Sequence, residues 1–516
     1  MFQSNSNWNR NNNANTTMRC GESGNVGTKS QSIDDDSIDS VPLTEGHKLC
    51  DNEHEQQIDN SSTVLEKIAG LYAERLLSDI TLEVGGKQFA AHRLILCASS
   101  DVFQVMLMNR NWSESHESRI TLHEDPACVL VFPDFLKYLY TGKLHINHFL
   151  VLPLVTLADK YNVKDLIHLC VDYMCRHVVS ATKHNQLVSW LQYTLNCGHI
   201  PIYTACSNFI TWNFELVADM DDFGSLETNV LISFLKKSDL VVNDELTVFH
   251  CVAKWLFIQE VRLKSQCEPD EELQFGKLVT DVMSYVRFPM MSPRQLASLL
   301  IHPLTSRFKD FFVEQMVFAM AFHSNKCNEK IQQALQSPGG QLHFTPRLYT
   351  TELWSASLSI ENYPSLPTYG LRTLVFTTPA SFAECISDHS YEWTVDIYPK
   401  GVWFRKFYLI VWQGTLEMPE SVSKTVRLSL TSKESNDMAR VSIGILICGK
   451  QDGMEHIRTV VKQNFVFSDE ERMLNINDLI PYDELNDLRA GRSPYLVGSN
   501  SDVLKLHIVI TPLFCG

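Results

Sequence analysis

The chain has 516 residues, a formal net charge of −16, 44% hydrophobic residues and 14 cysteines. That length gives room for about three ordinary cores, and an acidic balance spread along the chain excludes the basic footprint that nucleic acid or an anionic membrane surface needs. No apolar run approaches the ~20 residues required to cross a bilayer, and the cysteines stand singly, without zinc-finger or disulfide-framework spacing; neither membrane insertion nor a bound metal is expected.

Residues 1–61 are rich in Asn, Ser, Asp and Gln, carry an acidic run at Asp34-Asp35-Asp36 and lack apolar periodicity, which predicts a disordered head. The first residues show no apolar stretch or cleavage site of a secretory signal, so the expected compartment is the cytosol or the nucleus. Thr63 with Glu66 fits a capping box opening a helix whose apolar positions include Leu65, Ile68, Leu71, Tyr72 and Leu76. One face of that helix needs a partner.

In Ser78 to Val84, Ile80, Leu82 and Val84 alternate with polar residues as a half-buried strand requires. Gly85-Gly86 supplies a tight hairpin, with Lys87 to Ala90 returning. Leu94 to about Met108 reads as helical and Ile120-Thr121-Leu122 as a short strand. The region from Phe132 to Arg176 is helical again, with Pro133 placed in a first turn and the residues from Pro126 expected to form a loop. Residues 62–176 are thus a small α+β domain.

Residues 177–330 read as all-α, with stripes such as Val248, Cys251, Val252, Trp255 and Leu256. A linker at 331–344 contains Ser337-Pro338-Gly339-Gly340. Beyond it, strands at Trp393 to Tyr398, Val426 to Leu430, Val441 to Leu446 and Leu504 to Ile510 predict an all-β sandwich over 345–516. The fold class is therefore multidomain, and no internal repeat marks a propeller.

Residues 78–107, FLKYLYTGKL (135–144) and LADKYNVKDLIHLCVDYM (157–174) together resemble the BTB/POZ domain. The resemblance implies a homodimer in which the helix after Thr63 and the strand at Asp79 to Val84 exchange or pack across a two-fold axis, with Ile68, Leu71, Asp79, Ile80 and Arg93 at the interface. Asp79 and Arg93 match the family's paired charges; a buried pair fixing dimer register and a local salt bridge are both open readings. His92 has no second ligand at metal spacing, which favours a structural hydrogen-bonding role. In family members that bind cullin-3, a hydrophobic residue, any residue and a glutamate follow the third helix, a pattern that Trp112-Ser113-Glu114 fits; a solvent-exposed loop with a stray tryptophan is the plainer alternative.

DLVVNDELTVFHCVAKWL (239–256) and VRFPMMSPRQLASLL (286–300) resemble the BACK domain, whose first helices extend the cullin-binding surface and whose remainder spaces the substrate module away. Trp393 to Gly401 and the closing strand Lys505 to Ile510 are similar to a TRAF or MATH-type sandwich, with Trp393 and Tyr398 expected in packing roles and peptides expected along an exposed strand. Phosphate-binding, nucleophile-elbow and zinc-protease motifs are absent from the sequence. The expectation is a non-enzymatic, cofactor-free substrate adaptor of a cullin-3 ubiquitin ligase. A scaffold that dimerises and binds partner proteins without cullin uses the same domains.

Overall fold

The computed structural model describes residues 58–266, 270–324, 333, 338–383, 389–403, 423–433, 438–486 and 493–513. Most of the head therefore lies outside the described residues, and Ser61 to the C-terminal end forms one compact unit.

Helix α1 (Ser61–Glu74) begins two residues before Thr63, so the expected cap is already helical. After it come β1 (Ile80–Val84), β2 (Lys87–Ala91) and, beyond two helices, β3 (Arg119–Leu122). These form a sheet in the order β2-β1-β3, antiparallel on one side of β1 and parallel on the other. The hairpin turns on Gly85, whose φ is +54° and whose added Cβ would lie 2.4 Å from Val129 Cγ1. A side chain there would meet both backbone strain and a packed neighbour.

The predicted helix from Leu94 to Met108 is two helices, α2 (Arg93–Ser99) and α3 (Asp101–Met108), separated where Ser100 turns extended and caps α3 by accepting from the Phe103 N–H. Helix α4 (Pro126–Thr141) overturns the expected loop. Pro126 occupies the first turn, where a missing N–H costs nothing, and Pro133 is carried inside the helix despite removing one donor. Buried Val131, Phe132, Phe135 and Leu136 flank it, so packing outweighs the lost bond. Helices α5 (Val151–Lys160) and α6 (Lys164–Arg176) complete this layer.

The helical region runs from α7 (Val178–Lys183) through α8 (Leu187–Cys197), α9 (Ile200–Trp212), α10 (Phe214–Ala218) and α11 (Thr228–Lys236). It continues through α12 (Glu245–Gln266), α13 (Glu271–Met283), α14 (Pro293–Leu299) and α15 (Pro303–Arg307) to α16 (Lys309–His323). Its core is continuous with that of the first domain. Between α11 and α12, the two-residue strand β4 (Val241–Val242) pairs in parallel with β5 (Leu348–Tyr349), after the expected linker.

The remaining strands are β6 (Ser355–Ile360), β7 (Arg372–Pro379), β8 (Ser390–Tyr398), β9 (Arg427–Ser432), β10 (Ala439–Gln451), β11 (Met454–Phe467), β12 (Met473–Ile476), β13 (Leu496–Val497) and β14 (Val503–Pro512). One sheet has the order β12-β9-β8-β7; in the other, β14 pairs with β10, β13 and β6, and β11 lies beyond β10. Their inward residues alternate, with Trp393, Val395 and Ile397 facing Ile443, Ile445, Ile508 and Ile510 in one core. Trp393 is wholly buried and its indole N–H donates to Thr378 Oγ1 at 2.8 Å, a packing role.

Strand β10 is buried on both faces. Its outer face carries Leu446, which with Val509 packs on Val241 and Leu348 of the β4–β5 pair. Gly444 is required there, because a Cβ would lie 2.6 Å from Leu348 Cδ2. The sandwich is seated on the helical domain instead of hanging from a tether.

Candidate functional site

Three places bring functional side chains to the surface or set their position. The first follows α3. Asn109 donates its N–H to Val105 O and Trp112 donates to Asn109 O, so the chain leaves α3 directly into a 3-10 turn at Ser113–Ser115. Trp112 O accepts from the Ser115 N–H and hydroxyl, which ties the backbone down and leaves the indole 48% exposed. Val102, Val105 and Met108, three residues apart on α3, are also exposed and extend the apolar strip. Glu114 accepts a 2.8 Å hydrogen bond from the Ser113 hydroxyl. Its own backbone N–H first, and Ser113 second, hold its carboxyl below the ordinary value. The turn therefore presents an exposed aromatic, on a backbone that is tied down, beside an ionised acid.

Arg93 holds that turn from behind. Its guanidinium donates to Ser115 O at 3.2 Å, to Leu107 O at 3.4 Å and to Glu117 O. Asp79 accepts the Arg93 backbone N–H at 2.9 Å, capping α2, and no ion pair joins the two side chains within the protomer. His92 is structural: its Nδ1 meets Tyr140 Oη at 2.8 Å and its Nε2 meets Leu76 O at 2.6 Å. Ile80 is 2% exposed and lies in the protomer's own core. It sits on the inward side of a strand whose burial alternates. Ile68 and Leu71 are half-buried on α1, a helix without a fully buried residue whose Val64 and Leu65 are open to solvent.

The second place is the seat of the sandwich. Glu245 at the start of α12 and Arg347 beside β5 form an ion pair at 3.0 Å with neither side chain exposed. Arg347 also donates to Leu235 O and Lys237 O at 2.8 Å and to Tyr285 O at 3.1 Å. The carboxylate accepts further from Tyr349 Oη and the Arg287 N–H, each at 2.8 Å. Burial alone would push the Glu245 pKa up, but the charges of Arg347 and Arg287 and their hydrogen bonds hold it below its ordinary value. Asn213 adds a two-bond clasp, accepting from Ile457 N–H at 2.8 Å and donating to Ile457 O at 3.0 Å. Sequence reasoning missed this node because its partners are far apart in the chain.

The third place is the edge strand β7, which pairs only with β8 among the described residues. Arg372, Thr373, Val375 and Thr377 are exposed and alternate with half-buried Leu374 and Phe376. Beyond its end a cleft of about 390 Å³ opens between sandwich and helices. Among the described residues no cluster of His, Cys, Asp or Glu is arranged to hold a metal, and no helix is long and apolar enough to cross a membrane.

Residues 69–178 match the BTB/POZ domain, 187–300 the BTB And C-terminal Kelch domain, and 344–514 the BTBD17 TRAF domain. The chain is a BTB–BACK–TRAF protein. BTB/POZ domain-containing protein 17 of Homo sapiens is 27% identical over 482 residues, covering 89% of this chain and 90% of that protein. The Xenopus laevis protein of the same name is 26% identical, covering 89% and 92%. The solved BTB domain of zebrafish PATZ1 is 24% identical and covers 23% of this chain and 97% of its own, with a TM-score of 0.20. BTB–BACK proteins are typically adaptors or scaffolds without catalytic activity, and BTB domains commonly dimerise. Within the BTB–BACK–TRAF protein, the Trp112 turn belongs to the BTB domain and β7 to the TRAF domain, while the buried node joins BACK to TRAF.

Proposed function

We propose that this BTB–BACK–TRAF protein is a dimeric, non-catalytic adaptor that binds cullin-3 through its BTB domain and presents protein substrates, held by the sandwich, for ubiquitination in the cytosol or nucleus. The observation that carries this reading is the Trp112–Glu114 turn, where an exposed indole with its backbone tied down adjoins an ionised carboxylate and the apolar strip of α3. A turn whose backbone is already held loses little main-chain entropy on binding, and a neighbouring acid orients the partner through backbone or basic donors. Dimerisation is supported by α1, whose exposed Val64 and Leu65 and half-buried Ile68 and Leu71 suit a second copy better than water. Asp79 and Arg93 lie beside the same layer and complete the proposed interface. Transfer chemistry belongs to other proteins, and the adaptor contributes proximity. The deciding experiment is co-purification with the cullin-3 N-terminal domain, comparing the full chain with a Trp112→Ala, Glu114→Ala double variant of verified dimeric state. Binding lost only in the variant supports the adaptor; no binding by the intact dimer supports a scaffold acting without cullin.

A further inference from the structure

The cleft beyond β7 belongs to neither domain alone. Asp244 and Gln295 come from the BACK helices, whereas Trp354, Pro379, Ser381 and Phe382 come from the sandwich side. We propose that this composite cleft receives a lysine or arginine side chain of the substrate peptide, so that BACK supplies part of the specificity; this rests on β7 being the peptide's seat.

Charge comes first. Asp244 and Glu245 line the cleft, and among the described residues no lysine or arginine does; His323 also lines it, with its Nε2 meeting Met291 O at 2.6 Å. The Glu245 charge is answered from behind by Arg347, but Asp244 has only neutral donors. Its Oδ1 accepts from the Thr247 N–H and hydroxyl at 2.8 and 2.7 Å, and its Oδ2 accepts from Gln295 Nε2 at 2.7 Å. A carboxylate offers about four acceptor positions, so one position on a side chain that lines the cleft is not filled by these donors. An acidic side chain would meet unanswered negative charge, and a purely apolar one would leave that position unused. Shape agrees: Trp354 and Phe382, 6% and 9% exposed, stack with ring centroids 4.1 Å apart and contribute an apolar wall beside which a long aliphatic stem can lie. Position agrees as well, because Pro379 is the last residue of β7, so a peptide pairing along that strand reaches the mouth of the cleft.

The test is a positional-scanning library of fluorescein-labelled extended heptapeptides, read by anisotropy on the full chain. Lys or Arg should be selected at one position. Asp244→Asn keeps a side-chain acceptor at the helix start but loses the bond from Gln295, so its melting temperature should fall slightly; it should weaken the basic peptide about tenfold, as loss of one charge-assisted bond predicts, with unchanged affinity for the norleucine analogue. Leu353→Arg, at the exposed lip of the cleft, should compete with the incoming cation and give the same selective loss. Peptides bound without preference for a cation, or a preference that survives both variants, would overturn the inference while leaving β7 as a peptide seat. Failure of the chain to bind any peptide in the library would overturn both.

Discussion

Replacing Arg347 with methionine removes the cation that makes the buried Glu245 carboxylate tolerable, and the consequence can be sized. The variant keeps the methylene volume of the side chain but loses an ion pair sealed from water and three bonds to the carbonyls of Leu235, Lys237 and Tyr285. Glu245 retains the Tyr349 hydroxyl and the Arg287 N–H as donors, and the Arg287 charge nearby offsets part of the loss. Breaking one side of a buried pair costs ~3–5 kcal/mol, most of it the penalty of the stranded charge. The junction has its own reporters, since the amides of Leu348 and Thr350 donate to Leu240 O and Val242 O across the β4–β5 pair. Their hydrogen-exchange rates should rise by roughly two to three and a half powers of ten in Arg347→Met. Replacing Glu245 with leucine in the same chain should recover much of this protection, because the stranded charge is gone. A single variant whose exchange stays within about 1 kcal/mol of wild type, or a double variant whose loss is simply additive, would refute the reasoning. The pH dependence has a definite sign. A carboxylate whose folded pKa is depressed contributes stability above its ordinary value that is lost as pH falls through the folded value, so this lock should hold at pH 5 and fail only in stronger acid.

Arg93→Met should release the Trp112 turn and weaken cullin-3 binding at least tenfold, the worth of a charge-assisted hydrogen bond; unchanged binding would contradict the clamp. Gly444→Val should unseat the sandwich through the clash with Leu348, increasing small-angle scattering dimensions without unfolding either domain. Burial depresses the pKa of His456, whose ring packs at a tilt against Phe209 across the BACK–TRAF seat. A histidine held neutral in the fold contributes fully above about pH 6.5 and loses that contribution as pH falls through its folded value. Protection of the Ile457 amide should therefore decline between pH 7 and 5, and His456→Phe should flatten that decline.

The β elements were the legible part of the fold. Period-two alternation, as in Ile80-Leu82-Val84 or Trp393-Val395-Ile397, reflects a core on one side and is local to the chain. Where burial on both sides erases alternation, the signal shortens: β10 extends five residues past Leu446, beyond the segment its pattern suggested. Pro133 misled because the rule against helix-interior proline is local, whereas the packing of Phe132 and Phe135 that overrides it is tertiary. The candidate turn was found by its motif, but the role of Arg93 was not, since its acceptors are backbone carbonyls that carry no residue identity. Glu245 and Arg347 stand 102 positions apart, and nothing in composition links them. The Ser-Pro-Gly-Gly stretch suggested a tether, yet Phe344, at the end of that expected linker, is buried in the helical core.

The doubly buried β10 also bears on how such a chain can be rearranged. A domain joined by a tether can be exchanged for another with little regard for its neighbour. Here Gly444, Leu446 and Val509 serve as part of the BACK domain's covering, so a foreign TRAF module grafted at residue 345 would expose Val241 and leave β4 without its β5 partner unless it brought an equivalent strand and outer face. Exchange of recognition modules in this architecture is therefore constrained at the seam, and a functional chimera should require the donor's BACK helices to travel with its sandwich.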